Sequence, residues 1–261
     1  FDFETMKPLL NEPGHVRALE YQIKLAKNGP RDQTGWDLGE AWGYFLQGHA
    51  AMIYSWGDVG ALAQDPDKSK IKGKMGAAVM PGSMEIYHRG QGKFIKLDQP
   101  NVVGNTIGCS WHGVISSFSK NPDLAYHLLA FHATQRISQW NAKLGWTGVD
   151  IGRKNQLLVP RGPLSVEDYV NEGGWDASDV VQYVNAYVEN FEAETFFPYL
   201  RIPGAMDYLQ ALDLHLSEAL SGQRSAQEAL DLTVKDCEQI TDDRGREKQL
   251  ELYRQAMNYQ P

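Results

Sequence analysis

An α/β layer architecture with a largely helical C-terminal third is what the sequence predicts. Three observations carry that expectation. Short apolar runs alternate with amphipathic segments through the first half. Those segments carry helix start and stop residues at their ends. In the last third, helical patterns follow one another with no strand pattern between them. The chain has 261 residues, room for one large domain or two modest ones with ample core. Its apolar runs are only a few residues long, too short for a bilayer span. A net charge of −8 without a basic block argues against a nucleic-acid backbone as partner.

The opening FDFETMKPLL has no initiator Met, basic n-region or apolar h-region, so an export signal is expected to have been removed or to lie outside this sequence. Asn11 is placed to cap a helix over Pro13–Lys27, with Val16, Leu19, Ile23 and Leu25 on one face. Asn28-Gly29-Pro30 stops it. Leu38–Gln47 reads as a second helix, with Gly48 at the left-handed position after its end. Ala50–Tyr54 reads as a short buried strand emptying into Ser55-Trp56-Gly57-Asp58, a turn into a helix whose start favours the Asp58 charge.

A charged loop over residues 65–74 precedes an expected strand, MGAAVMPG. Residues 82–106 show no periodicity and read as a surface excursion, with Gly90-Gln91-Gly92 as a turn. WHGVISSFSKN predicts a strand. Asn121 and Pro122 then open a helix whose apolar stripe is Ala125, Leu128, Leu129 and Phe131. Ser165 caps VEDYVNEG, and ASDVVQYVNAYVENFEAE is a long amphipathic helix. MDYLQALDLHLSEALSG ends on Gly222. Ser225 and Glu228 form a capping box for a helix with Ala229, Leu230, Val234, Cys237 and Ile240 inward.

The chemistry of the chain is marked first by what it lacks. It has no phosphate-binding glycine loop, no dinucleotide fingerprint, no HExxH, no CxxC and no GxSxG. His127 and His132 are five apart, a spacing that splays them on a helix, so no metal is expected. No cofactor and no enzymatic activity are expected either. Paired carboxylates of a carbohydrate-active hydrolase are the rival reading, but Asp207 with Asp213, and Glu192 with Glu194, suit solvated helix faces. Cys109 and Cys237 form either one disulfide or two buried thiols; spacing leaves both open.

FLQGHAAMIYSWGD resembles the F-x-x-G-x-A-A-M…W segment of the extracellular solute-binding proteins of sugar-type ABC importers (family 1, maltose-binding-protein-like). MKPLLNEPGHVRALEYQIKLAKNGP, GAAVMPG, CSWHGVISSFSKNPDLAYHLLAFHAT and RIPGAMDYLQALDLHLSEALSGQRSAQEALD resemble further segments of that family, in the expected order. His112 departs from the small residue many members have after the tryptophan.

The resemblance implies a periplasmic-binding-protein type II fold, two α/β lobes joined by a hinge that closes on the solute. Relatives are longer, so this chain is expected to be a C-terminal portion lacking much of one lobe. Residues 1–110 plus 183–261 are then one nearly complete lobe and 111–182 the remainder of the other. Hinge crossings are expected near 109–112 and near Tyr183. The implied function is reversible binding of a sugar, polyol or related polar solute by a monomer. It is expected in the periplasm, or outside the cell as a membrane-anchored lipoprotein, and to hand its solute to ABC importer permease subunits.

A sugar offers hydroxyls at its edge and C–H patches on its faces. A stacked aromatic ring contributes about 0.5–1.5 kcal/mol beyond area burial. A hydrogen bond to a charged partner contributes about 1.5–3 kcal/mol, and several of each reach micromolar affinity. Trp56, on a strand lip where ligands of open α/β sheets collect, is the expected stacking ring. Asp58 is the expected hydroxyl acceptor. Trp111 and His112 are expected at the hinge crossing facing the cleft, and Arg201 beside a hydroxyl or carboxylate. Tyr208 lies near a position where maltose-binding relatives carry a stacking aromatic, although the closest register puts Leu209 there.

Overall fold

The structure is a computed structural model that describes residues 1–105 and 112–260. Its first elements are α1 (Pro13–Asn28), α2 (Leu38–Leu46) and α3 (Asp58–Leu62). A hairpin of β1 (Ser83–His88) and β2 (Lys93–Asn101) follows, then β3 (Val103–Asn105). Next come α4 (Pro122–His132), α5 (Gln135–Lys143), α6 (Val166–Gly173) and α7 (Ala177–Phe191). The chain closes with β4 (Thr195–Phe197), α8 (Ala205–Leu220), α9 (Ala226–Asp243) and α10 (Arg246–Ala256).

The described residues fall into two compact units. One comprises Phe1–Trp36, Ser83–Asn101 and Tyr199–Pro261; the other comprises Asp37–Gly82 and Val102–Pro198. These boundaries differ from those of the expected lobes: residues 37–82 group with 102–198 rather than with the segments on either side.

In the first unit α1, α8 and α9 pack through Leu19, Ala219, Ala226, Ala229 and Leu230. A second cluster gathers Met6, Ile202, Tyr208, Cys237 and Tyr253. α9 begins at the expected capping box: Ser225 accepts from the Glu228 amide at 3.2 Å, and Glu228 accepts from the Ser225 amide at 2.9 Å. Asn11, the expected cap of α1, instead donates to Asp231 at 2.8 Å, and Pro13 opens the helix without a side-chain cap. Leu25 is exposed, so the inward face of α1 is Val16, Leu19 and Ile23. Burial pushes the Cys237 thiol up to about 11. Cys109, the other member of the open disulfide-or-thiol alternative, lies outside the described residues.

Within the expected surface excursion, residues 83–101 form a hairpin that periodicity did not reveal. β1 and β2 pair antiparallel, Ile86 opposite Ile95 and Tyr87 opposite Phe94, with Gly92 closing the turn at φ 62°. The pattern hid because the strands carry few strong apolar residues, and Arg17 lies over the Phe94 ring at 3.3 Å.

The His215 imidazole lies between Glu218 (Nδ1 to Oε2, 2.8 Å) and Asp236 (Nε2 to Oδ2, 3.0 Å). Burial pulls its pKa down, but hydrogen bonds to the two carboxylates outweigh this and leave it raised. The charged ring therefore favours the fold. That contribution is complete below about pH 6.5 and fades as pH rises through the raised value. Melting curves should show His215→Gln well below the natural protein at pH 6 and closer to it at pH 9. A gap that widens with pH would contradict the assignment.

The second unit is built on Ala61, Ile151, Leu164, Tyr169, Trp175, Val180, Tyr183 and Val184. A second cluster, Leu46, Val59, Ala63 and Met75, lies under α2 and α3. α2 ends as expected, with Gly48 left-handed at φ 78°. Ser165 and Asp176 accept from the first-turn amides of α6 and α7. β3 and β4 form a short parallel pair.

Three expected strands do not form. Ala50–Tyr54, residues 75–82 and residues 112–117 have no paired neighbour among the described residues, and Met52 and Tyr54 are exposed. An apolar run becomes a strand only when another edge completes its backbone hydrogen bonds. α4 opens at Pro122 as expected, but its expected apolar stripe is not buried. Leu128 and Phe131 of its stripe are exposed, and none of its side chains is buried.

Candidate functional site

The geometry begins with two glycines. Gly57 and Gly60 stand one helical turn apart at the start of α3, on a side that meets α7. A Cβ on Gly57 would fall onto the Tyr187 hydroxyl, and one on Gly60 would come within 2.6 Å of Tyr183 Cδ2. Glycine at both positions lets α3 lie directly against the two tyrosines. Gln64, buried just after α3, holds that approach. Its amide donates to Asp179 at 2.9 Å, and its carbonyl accepts from the Asp176 backbone at 2.9 Å.

Tyr183, Tyr187 and Phe191 follow at four-residue spacing along α7, with successive ring centroids 5.0 and 5.8 Å apart. Tyr183 is thus mid-helix and almost fully buried. Its hydroxyl donates to Asp150 Oδ1 at 3.2 Å, and the Tyr187 hydroxyl reaches the same carboxyl. Asp150 enters on the loop between α5 and α6. Gly148, two residues earlier, passes beside α3 at φ 64°, where a Cβ would lie 3.7 Å from Asp58 Oδ1. The Asp58 carboxyl lies near enough for its charge to act on Asp150.

The electrostatics follow from this crowding. Burial is the largest cause raising the Asp150 carboxyl, and the Asp58 charge adds to it; the tyrosine hydrogen bonds pull the other way. Asp150 is pushed up to about 7. Asp150 therefore exchanges its proton near neutrality. Burial foremost, with the neighbouring charges, pushes both tyrosine hydroxyls far up, so they remain O–H donors. Among the described residues neither acid has a Lys, Arg or His at ion-pair distance.

Asp58 and Asp150 are half-buried, and Trp56, one residue before Gly57, is 38% exposed. The exposed Trp146 and Val149 flank the loop that carries Asp150. Exposed indole rings thus stand close in sequence to half-buried acids, while Tyr183 is buried. Among the described residues no three His, Cys, Asp or Glu side chains gather as a metal site.

Of the expected site residues, the structure brings Asp58 to this cluster, with Trp56 two residues before it. His112 is exposed in the same unit, on the loop before α4. Trp111 lies outside the described residues. Arg201 and Tyr208 belong to the first unit. Arg201 donates to the Ala256 carbonyl at the end of α10. Tyr208 is 3% exposed, its hydroxyl 3.0 Å from Thr241 Oγ1 and its ring edge-on to Phe1. Asp150, Tyr183 and Tyr187 are the members that sequence reasoning missed. The available signals were the Gly57–Gly60 spacing, the Tyr183–Tyr187 spacing and a single acid inside GWTGVDIG.

No protein-family model matches the chain. Among the solved structures that share its fold are two solute-bound proteins. One is an ABC transporter solute-binding protein from Agrobacterium radiobacter K84 in complex with ribitol. It has a TM-score of 0.64 and 22% identity, over 90% of this chain and 51% of that one. The other is maltose-bound T. maritima MalE3, with a TM-score of 0.59 and 18% identity, over 91% of this chain and 53% of that one. The chain has a solute-binding-protein fold and spans about half the length of these two structures.

Proposed function

We propose, from the fold shared with the ribitol- and maltose-bound proteins, that this protein reversibly binds a sugar, polyol or related polar solute and delivers it to an ABC-type importer. The carrying observation is that the exposed Trp56 lies two residues before Asp58, where Tyr187 and the Gly148–Asp150 loop pack against the start of α3. A ring face suits the C–H patches of a polyhydroxylated solute, and the carboxyls accept its hydroxyl protons. Delivery places the protein in the periplasm or outside the cell, with permease subunits as partners and the hinge closure that the resemblance implies.

The hydrolase reading draws no support from the two similar structures, which hold ribitol and maltose.

The test is a thermal-shift screen of the purified full-length protein against sugars and polyols, with chromatography of the mixtures afterwards. A solute at a hundredfold its dissociation constant adds about 2.7 kcal/mol of stability. At least one member should raise the melting temperature and be recovered unchanged. A panel with no response, or recovery of cleaved products, would contradict the proposal.

A further inference from the structure

Two apolar surfaces of the second unit are packed on one side and open on the other. Along residues 52–55 exposure alternates with the period of an extended chain. Ile53 joins the cluster under α2 and α3, and Ser55 accepts the Trp42 indole hydrogen at 2.6 Å. The residues between and before them, Tyr54 and Met52, are 70% and 87% exposed. A strand that is apolar on both faces belongs inside a sheet covered on both sides. Yet Ala50–Tyr54 has no paired neighbour among the described residues, and β3 with β4 is a parallel pair of three residues each without a third strand. Two short strands alone are marginal in water.

α4 repeats the pattern. On one side the incoming chain lies against it, since a Cβ on Gly113 would come within 2.5 Å of Leu129. On another, Leu124, Leu128 and Phe131 stand at i, i+4 and i+7 and are 70, 59 and 54% exposed. That spacing is the core-facing stripe of an amphipathic helix, here open. Single exposed apolar residues are ordinary on a protein surface; an ordered stripe marks a contact.

The occupant follows from length. The shared fold covers 90 and 91% of this chain but only 51 and 53% of the ribitol- and maltose-bound proteins, each of which carries the remainder in the same chain.

We propose that Met52, Tyr54, Leu124, Leu128 and Phe131 seat a further part of the same polypeptide, outside these 261 residues, which pairs with the open strand edges and lays an apolar surface on α4. This needs no ligand, so it stands or falls apart from the solute-binding reading.

The experiment is a set of melting curves on the 261-residue chain and on the full-length product of its gene, each with Met52→Lys, Leu128→Lys and a control, Leu25→Lys. Leu25 is 72% exposed on α1 of the first unit, whose inward face is already packed. In the 261-residue chain all three lysines should reach water and move the melting temperature by less than about 2 °C. In the full-length protein Met52→Lys and Leu128→Lys should each lower it by about 5 °C or more, because each buries an unpaired charge, while Leu25→Lys stays near the natural value. If the 261-residue chain does not fold alone, the contrast between Leu25→Lys and the other two in the full-length protein decides.

Equal melting of the three variants in the full-length protein overturns the proposal. A full-length product no longer than 261 residues also overturns it, and sedimentation of that product as a dimer would give the surface to a second copy instead.

Discussion

Trp56→Ala is expected to weaken solute binding about thirtyfold, while the unliganded protein melts within a few degrees of its natural temperature. A large ring at the centre of a contact is worth about 2 kcal/mol or more on truncation, and each 1.4 kcal/mol is about tenfold in affinity. The fold should tolerate the change because Trp56 is 38% exposed, so its loss costs less than the roughly 3–5 kcal/mol of a core tryptophan. Tyr208→Phe is the matching control. It removes a hydroxyl bonded to Thr241 inside the other unit, so it should cost about 1 kcal/mol of stability and leave the dissociation constant unchanged. Equal affinity of Trp56→Ala and the natural protein, by titration calorimetry, would take that ring out of the site.

Gly173→Ala should be the most damaging single methyl in the second unit. A Cβ there would fall onto the Lys143 carbonyl oxygen and lie 2.9 Å from Trp175 Cδ1. That carbonyl also accepts the Trp175 indole hydrogen at 2.8 Å, and the Gly145 amide donates to the Gly173 carbonyl at 3.1 Å. The ends of α5 and α6 are thus knitted backbone to backbone, where no flexible side chain can yield. Overpacking costs about 1–3 kcal/mol, and a backbone clash belongs at or beyond the upper end. Each kcal/mol lowers the melting temperature by about 2–4 °C at this chain size. Gly43→Ala, inside α2 with open space around it, should instead raise stability by up to about 1 kcal/mol. Circular-dichroism melts of the two variants should diverge in opposite directions. A Gly173→Ala melt matching the natural protein would show that these helix ends do not meet as described.

What the sequence disclosed was largely local. Pro13 and Pro122 open helices, Gly48 and Gly222 follow helix ends with positive φ, and Ser165, Ser225 and Glu228 cap where their spacing predicts. Each signal is read within a few residues of its effect. The strands failed because pairing is settled elsewhere in the chain: Ala50–Tyr54 has an apolar run but no paired neighbour, whereas residues 83–101, without a clear pattern, pair with each other. The expected stripe of α4 is not a buried face: Leu128 and Phe131 are exposed, because periodicity does not state what lies against a helix.

The site divides in the same way. Trp56 and Asp58 were legible because the strand-lip tryptophan and helix-start acid sit together in SWGD. Asp150 and the two tyrosines are remote in sequence, and only tertiary packing across Gly57 and Gly60 brings them to Asp58. The cluster of Asp58, Asp150 and the two tyrosines is therefore invisible to spacing alone.

The central claim is that a hydroxyl-rich solute rests against Trp56 and these acids, and a crystal structure of the full-length protein with the tightest solute of the screen tests it most directly. The account predicts a C–H face of the solute stacked on the Trp56 indole and hydroxyls within about 3 Å of the Asp58 and Asp150 carboxyls. A solute bound elsewhere, with Trp56 and both acids facing only solvent, would contradict it.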